Sequence, residues 1–351
     1  MKLTRIGLLL LIVSLFISSG LSAREPVKEM TGAGASFPYP LYSKWFNVYA
    51  KTHGVEVNYQ SIGSGGGIRQ LQNRTVDFGA SDAFLTKKDQ EKFKKDVLHI
   101  PTALGGVSVV YNMDTEEKIK LTPDIVSDIF LGKIKTWRNK RIKAINPEIN
   151  LPNLPIIVVH RSDGSGTTFI FTDYLSKVSD EWKNKVGAGK SVRWPSGIGG
   201  KGNEGVAGSV KNLPGSIGYV EVIYAEKNDL NYALIKNKSG NFVAPTLQSI
   251  SQAADVELPE DMRVSITNTD ADKGYPISGF TWLLVFQEQH YNERALEQAK
   301  AVKSLLVWAL TDAQQYNEKL LYAQLPTAAK KKAMKLVQSM TFKGEPIKLN
   351  Q

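Results

Sequence analysis

Apolar and polar positions along this chain switch between a helical period and a strand period. Tyr42, Trp45, Phe46 and Tyr49 recur at helical spacing, and residues 55–59 follow with a strand pattern. The turn Gly63-Ser64-Gly65-Gly66-Gly67 leads into a helix carrying Ile68 and Leu71, and residues 76–80 read as a short strand ending at Ser81-Asp82. Residues 107–111 and 156–159 are apolar, β-branched strands, and residues 169–178 form a helix with Ile170, Tyr174 and Val178 on one face. A long glycine-rich loop is expected over 194–205, a strand over 216–222 and a longer extended run over 275–286. Residues 293–325 read as helix with breaks, and a last helix covers about 328–340. Strand, glycine-rich turn, helix, strand is the rhythm of an α/β fold.

No internal repeat or low-complexity tract interrupts this order. Candidate crossings between two lobes lie near Gly105-Gly106 and near Gly274-Tyr275-Pro276. With both as hinges, residues 107–274 form one lobe, while 24–106 and 275–351 together form the other.

The beginning of the chain has a separate character. Lys2 and Arg5 precede an apolar run over residues 6–17, followed by Ser18-Ser19-Gly20-Leu21-Ser22-Ala23. This is the pattern of a secretory signal peptide covering residues 1–23, with cleavage expected after Ala23. The apolar run is too short for a comfortable transmembrane helix. The chain has no cysteine, which removes disulfides, thiolate metal sites, cysteine nucleophiles and a lipid anchor after the apolar run. Its 4 histidines form no ligand-spaced cluster, so neither a metal nor a cofactor is expected. The exported protein is expected to be soluble and periplasmic. Net charge is +10 over the whole chain, which favours anionic partners without choosing among them.

Three segments place small or hydroxyl residues between the end of a strand and the start of a helix. There the first turn leaves N–H groups unpaired and the helix dipole adds partial positive charge, so an oxyanion is a natural guest. The strongest is Arg161-Ser162-Asp163-Gly164-Ser165-Gly166-Thr167, which offers a guanidinium fork, hydroxyls and helix-start N–H groups. Asp163 is spaced to orient Arg161 without touching the ligand. The plain alternative is an N-capped helix after a turn. Gly63 to Gly67 lacks the Lys-Ser/Thr of a P-loop and the spacing of a dinucleotide fingerprint, so alone it is equally a ligand turn or a structural one. Thr31 to Phe37 is similar: Ser36 can donate, and Phe37 either walls the site or packs. A carboxylate at Asp82 beside an anion is repulsive unless the anion brings a proton to share. Pointing into such a site, Asp82 would accept the proton of HPO4(2−) and reject fully ionised sulfate.

These motifs resemble a known family, the periplasmic phosphate-binding proteins that serve phosphate ABC transporters (the PstS-like solute-binding proteins). The resemblance rests on Thr31-Gly32-Ala33-Gly34-Ala35-Ser36-Phe37, Tyr59-Gln60-Ser61-Ile62-Gly63-Ser64-Gly65-Gly66, Val76-Asp77-Phe78-Gly79-Ala80-Ser81-Asp82 and the Arg161–Thr167 segment. It extends through Leu131-Gly132-Lys133-Ile134-Lys135-Thr136-Trp137, Gly199-Gly200-Lys201-Gly202-Asn203 and Gly215-Ser216-Ile217-Gly218-Tyr219-Val220. It implies a two-lobed periplasmic binding protein fold of type II, each lobe a mixed sheet flanked by helices, with a two-crossing hinge. It further implies a dehydrated phosphate held between the lobes. Carried onto this chain, one lobe supplies Ser36, the Phe37 N–H, Ser64 and Asp82. The other supplies Arg161, Ser165, the Gly166 N–H and Thr167, with Asp163 bracing Arg161. Ser36 stands where some relatives carry threonine, and His160 replaces a basic neighbour seen in others. The partners implied are inorganic phosphate and the transmembrane permease of an ABC transporter, the protein itself being a monomer.

Rival readings come from other classes. A receptor for sulfate or molybdate is opposed by Asp82. A secreted phosphatase built on Ser165 lacks a placed histidine or metal cluster to activate the hydroxyl. Nucleic-acid binding is hinted at only by charge, and Lys87, Lys88, Lys94 and Lys95 read as a solvated helix surface.

Overall fold

The computed structural model describes residues 27–115 and 117–349. The expected signal peptide and its cleavage point lie outside the described residues. The principal sheet contains β1 (Glu29–Gly34), β2 (Glu56–Ser61), β3 (Phe78–Ser81), β4 (Val97–Tyr111), β5 (Ile157–Arg161), β6 (Ile198–Gly200), β7 (Ser216–Glu221), β8 (Asn231–Tyr232) and β9 (Ser278–Phe286). Its order is β2-β1-β3-β9-β4-β7-β5-β6, with β8 also paired to β4. β1 runs parallel to β2 and β3, and β5 parallel to β6 and β7. β9 is antiparallel to β3 and β4, and β4 is antiparallel to β7, so both lobes carry mixed sheet.

The two lobes share one strand. Residues 97–106 of β4 pair with β9, and residues 107–111 pair with β7. The change of pairing partner falls after Gly106, inside a continuous strand of 15 residues rather than in a loop. A strand here starts ten residues earlier than its β-branched stretch suggests. Pro101 lacks an N–H for the ladder, and the register shifts opposite it, between Thr281 and Trp282. Residues 275–277 are tied to the same point of β4: the Val107 N–H donates to the Ile277 carbonyl at 2.8 Å, and the Tyr275 hydroxyl donates to the Val107 carbonyl at 2.8 Å.

Helices α1 (Tyr39–His53), α2 (Ser64–Gln72), α3 (Gly166–Val178), α4 (Gly202–Asn212), α5 (Leu296–Leu310) and α6 (Thr327–Gln338) are among those covering the sheet. α1 forms as its spacing predicts. Tyr42, Trp45, Phe46 and Tyr49 are all buried, a proline lies in the first turn, and the helix ends at Gly54 with φ 68°. Each of these aromatic side chains contributes about 1.5–3 kcal/mol by leaving water. In the other lobe Phe171 and Tyr219 stack at 4.5 Å, and Trp194 stacks on Tyr219 at 5.7 Å. The loop expected over 194–205 is shorter than its glycines suggest. Ile198–Gly200 joins the sheet as β6, and α4 begins at Gly202. The 293–325 region resolves into α5 followed by two short 3-10 turns, Asp312–Tyr316 and Glu318–Leu320.

Candidate anion-binding site

The parallel strands end on a common edge, and the turns that follow them converge there. Ser36 follows β1, Ser64 opens α2 after β2, Asp82 follows β3, Arg161 closes β5, and Asn203 lies in the first turn of α4 after β6. Carboxyl ends of parallel strands are where α/β sheets receive ligands, because the helix N-termini point there. Ser36, Phe37, Ser64, Asp82, Arg161, Ser165, Gly166 and Thr167 are all buried. The lobes touch at this point: the Gly65 N–H donates to the Gly164 carbonyl at 2.8 Å.

Arg161 is held as a fork. Its Nε donates to Asp163 Oδ1 at 2.8 Å and its Nη2 to Asp163 Oδ2 at 2.6 Å, while Nη1 donates to Thr167 Oγ1 at 3.3 Å. These bonds use three of the five guanidinium N–H groups, leaving two to a ligand. Burial pushes the Asp163 carboxyl up, but the adjoining guanidinium and the Gly202 N–H outweigh it and hold it below the usual carboxylate range. Ser165 caps α3 by accepting the Thr168 N–H at 3.0 Å, which leaves its O–H free to donate. The backbone of Arg161 is fixed as well, its N–H donating to the Tyr219 hydroxyl at 3.1 Å.

Asp82 is 1% exposed. Its Oδ1 accepts the Thr281 hydroxyl at 2.7 Å, and its Oδ2 accepts Ser64 Oγ–H at a long 3.4 Å. Burial pushes its carboxyl up to about 7, against the opposing pull of Thr281, the Arg161 charge and Ser64. Gly166 makes the close approach possible, since a Cβ there would sit 2.5 Å from Asp82 Oδ2. The Gly166 N–H and the Ser64 hydroxyl, both expected to face the anion, are bonded to each other at 3.0 Å. An anion taking both must replace that bond.

Phe37 packs rather than projects. Its ring lies against Gly105, where a Cβ would come within 2.5 Å, and meets Tyr322 edge-on at 6.3 Å. The Phe37 carbonyl accepts the Tyr322 hydroxyl at 2.6 Å, and the Ser36 carbonyl accepts the Tyr224 hydroxyl at 2.6 Å. The turn before α1 is thereby held at two successive carbonyls by Tyr224 and Tyr322.

The sequence profile of the PBP superfamily domain matches residues 22–313. A phosphate-binding protein PstS from Pasteurella multocida is 45% identical over 322 residues, covering 90% of this chain and 91% of its own. The chain belongs to the PstS phosphate-binding protein family. A PstS from Methanocaldococcus jannaschii is 42% identical over 304 residues, covering 80% of this chain and 78% of its own. Two solved structures share the fold. One is a high-affinity periplasmic phosphate-binding protein with bound phosphate (TM-score 0.67, 22% identity, 86% of this chain and 92% of that one). The other is a phosphate-binding protein from Stenotrophomonas maltophilia (TM-score 0.65, 18% identity, 86% and 92%).

Against this PstS frame, sequence reasoning missed two residues at the site. Thr281, which holds Asp82, sits in an apolar strand 199 positions further along the chain and carries no local signal. Asn203 was legible only as part of a glycine-rich motif. It is fully buried and bridges Ser36 and Thr167 through Nδ2, at 2.9 and 3.2 Å. His160 stacks on Trp194 at 4.9 Å, and burial lowers its pKa, so it adds little positive charge at neutral pH.

Proposed function

We propose that this protein binds inorganic phosphate between its lobes and delivers it to an ABC-type phosphate permease. The observation that carries the reading is the pairing, in one buried site, of a braced guanidinium with a carboxyl whose Oδ2 accepts only one long hydrogen bond and so has room to accept another. Desolvating a dianion is expensive, so the site has to replace its water shell with donors. Arg161, the hydroxyls of Ser36, Ser64, Ser165 and Thr167, and the N–H groups of Phe37 and Gly166 are that shell. Asp82 accepts the proton that HPO4(2−) carries and sulfate lacks, which turns one potential repulsion into a hydrogen bond and leaves the other unpaired.

The lobes are 24–106 with 275–351, and 107–274, and they close by bending at Gly105-Gly106 and at 274–276. Closure excludes water and release follows reopening. The protein acts in the periplasm as a monomer and performs no turnover. The relatives named above are binding proteins, which supports this over a phosphatase.

Equilibrium dialysis of phosphate-stripped protein against labelled phosphate tests the reading. Saturable binding that excess unlabelled phosphate displaces and excess sulfate does not is the expected outcome. Displacement by sulfate at similar concentration refutes the role given to Asp82, and no uptake of label refutes phosphate as the ligand.

A further inference from the structure

Asn203 occupies a position where each of its polar atoms has an assignable role. Its Oδ1 accepts the backbone N–H of Glu221 at 2.9 Å, and because a backbone N–H can only donate, the amide orientation is fixed. Nδ2 consequently faces the site, donating to Ser36 Oγ at 2.9 Å and to Thr167 Oγ1 at 3.2 Å. The Asn203 backbone N–H donates to Ser36 Oγ as well, at 3.2 Å.

A hydroxyl oxygen has two lone pairs. On Ser36 both are taken by Asn203, one by its amide side chain and one by its main chain. On Thr167 one is taken by Asn203 and the other by Arg161 Nη1 at 3.3 Å. Neither hydroxyl can accept another hydrogen bond, so each can only donate. Ser36 and Thr167 come from opposite lobes, following β1 and opening α3.

We propose that Asn203 is a positioning residue that fixes Ser36 and Thr167 as obligate donors and couples them across the cleft. This deepens, and rests on, the phosphate reading above. A guest at this corner must present acceptor oxygens, and any proton it carries is turned away from Ser36 and Thr167 toward Asp82. The residue therefore sorts the two ends of a protonated oxyanion without needing to touch it.

The test compares phosphate titrations of wild type, Asn203→Ala, Asn203→Asp, Ser36→Ala and the Ser36→Ala/Asn203→Ala double variant, with thermal unfolding of each ligand-free protein as a folding control. Asn203→Ala is expected to weaken phosphate binding by roughly 10- to 100-fold. If Asn203 acts through Ser36, the double variant loses much less than the product of the two single losses. Asn203→Asp keeps the shape but turns Nδ2 into an acceptor. Both hydroxyls then reverse toward it, binding falls further, and part is regained as pH drops and the new carboxyl protonates. A merely structural role produces neither the non-additivity nor that pH profile. Wild-type binding retained within twofold by Asn203→Ala, or losses that multiply in the double variant, overturns the inference alone. A wild type silent to phosphate overturns the ligand reading first, and this inference with it. If Asn203→Ala fails to fold, the isosteric Asn203→Asp decides: unchanged affinity with a flat pH profile overturns the proposal.

Discussion

Asp82→Asn isolates the cost of holding a carboxyl inside the site. In the folded protein this group titrates at about 7, against an ordinary value of 3.8, and burial is the main cause. Below the ordinary value it is protonated whether the chain is folded or not, and no penalty arises. Between the two values the unfolded chain ionises while the folded one stays neutral, so stability falls as pH rises. Above the folded value the loss is complete. At about 1.4 kcal/mol per tenfold in proton affinity, the gap amounts to roughly 4 kcal/mol, which is an upper figure for a site that can relax. Asparagine keeps an oxygen for the Thr281 hydroxyl and removes the titration. Urea unfolding of phosphate-free protein, run in parallel for wild type and Asp82→Asn from pH 4 to pH 8, reads the difference directly. Wild type should lose stability relative to the variant progressively up to about pH 7 and then run level with it, offset by a few kcal/mol. Parallel curves across the whole range would refute the claim that Asp82 is held near neutrality by burial.

Arg161→Lys should weaken phosphate binding by roughly 100-fold, because a point charge cannot reproduce the fork held by Asp163; a titration showing less than a threefold change would contradict this. Gly166→Ala places a methyl 2.5 Å from Asp82 Oδ2 and 2.6 Å from Ser64 Oγ, and should abolish binding while costing about 1–3 kcal/mol of stability. Gly208→Ala meets nothing within 4 Å in the middle of α4, and should instead stabilise by about 0.5–1 kcal/mol in chemical denaturation. Glu221 is fully buried and its carboxyl is driven well above the usual range, chiefly by burial. Glu221→Gln should therefore leave stability nearly unchanged at low pH and raise it at neutral pH; a destabilisation at pH 7 would contradict a neutral buried acid.

The turns that converge at the candidate site were readable because their residue types are unusual together. Arginine, aspartate, glycine and hydroxyls stand together between a strand and a helix, and the α1 stripe of Tyr42, Trp45, Phe46 and Tyr49 packs as its spacing requires. What the sequence hid is the work done across distance. Thr281 holds Asp82 only because β9 and β3 lie side by side, and that strand is apolar and buried throughout. The bulge at Thr102, next to Pro101 in β4, lets Thr102 donate to the Thr281 carbonyl at 3.1 Å, a link that no local pattern announces. β4 starts earlier than its β-branched stretch because residues 97–106, Pro101 and the glycine pair among them, are paired along β9, and that partner lies far away in the chain. The contacts of Asn203 arise because the turn after β1 and the first turn of α3 meet over its amide.

Calorimetric titration of phosphate-stripped protein with phosphate and, separately, with sulfate near neutral pH tests the central claim most directly. A single tight phosphate site with no heat from sulfate is the result this account predicts. Sulfate binding comparable to phosphate, or silence toward both, would contradict a site in which Asp82 reads the proton on its guest.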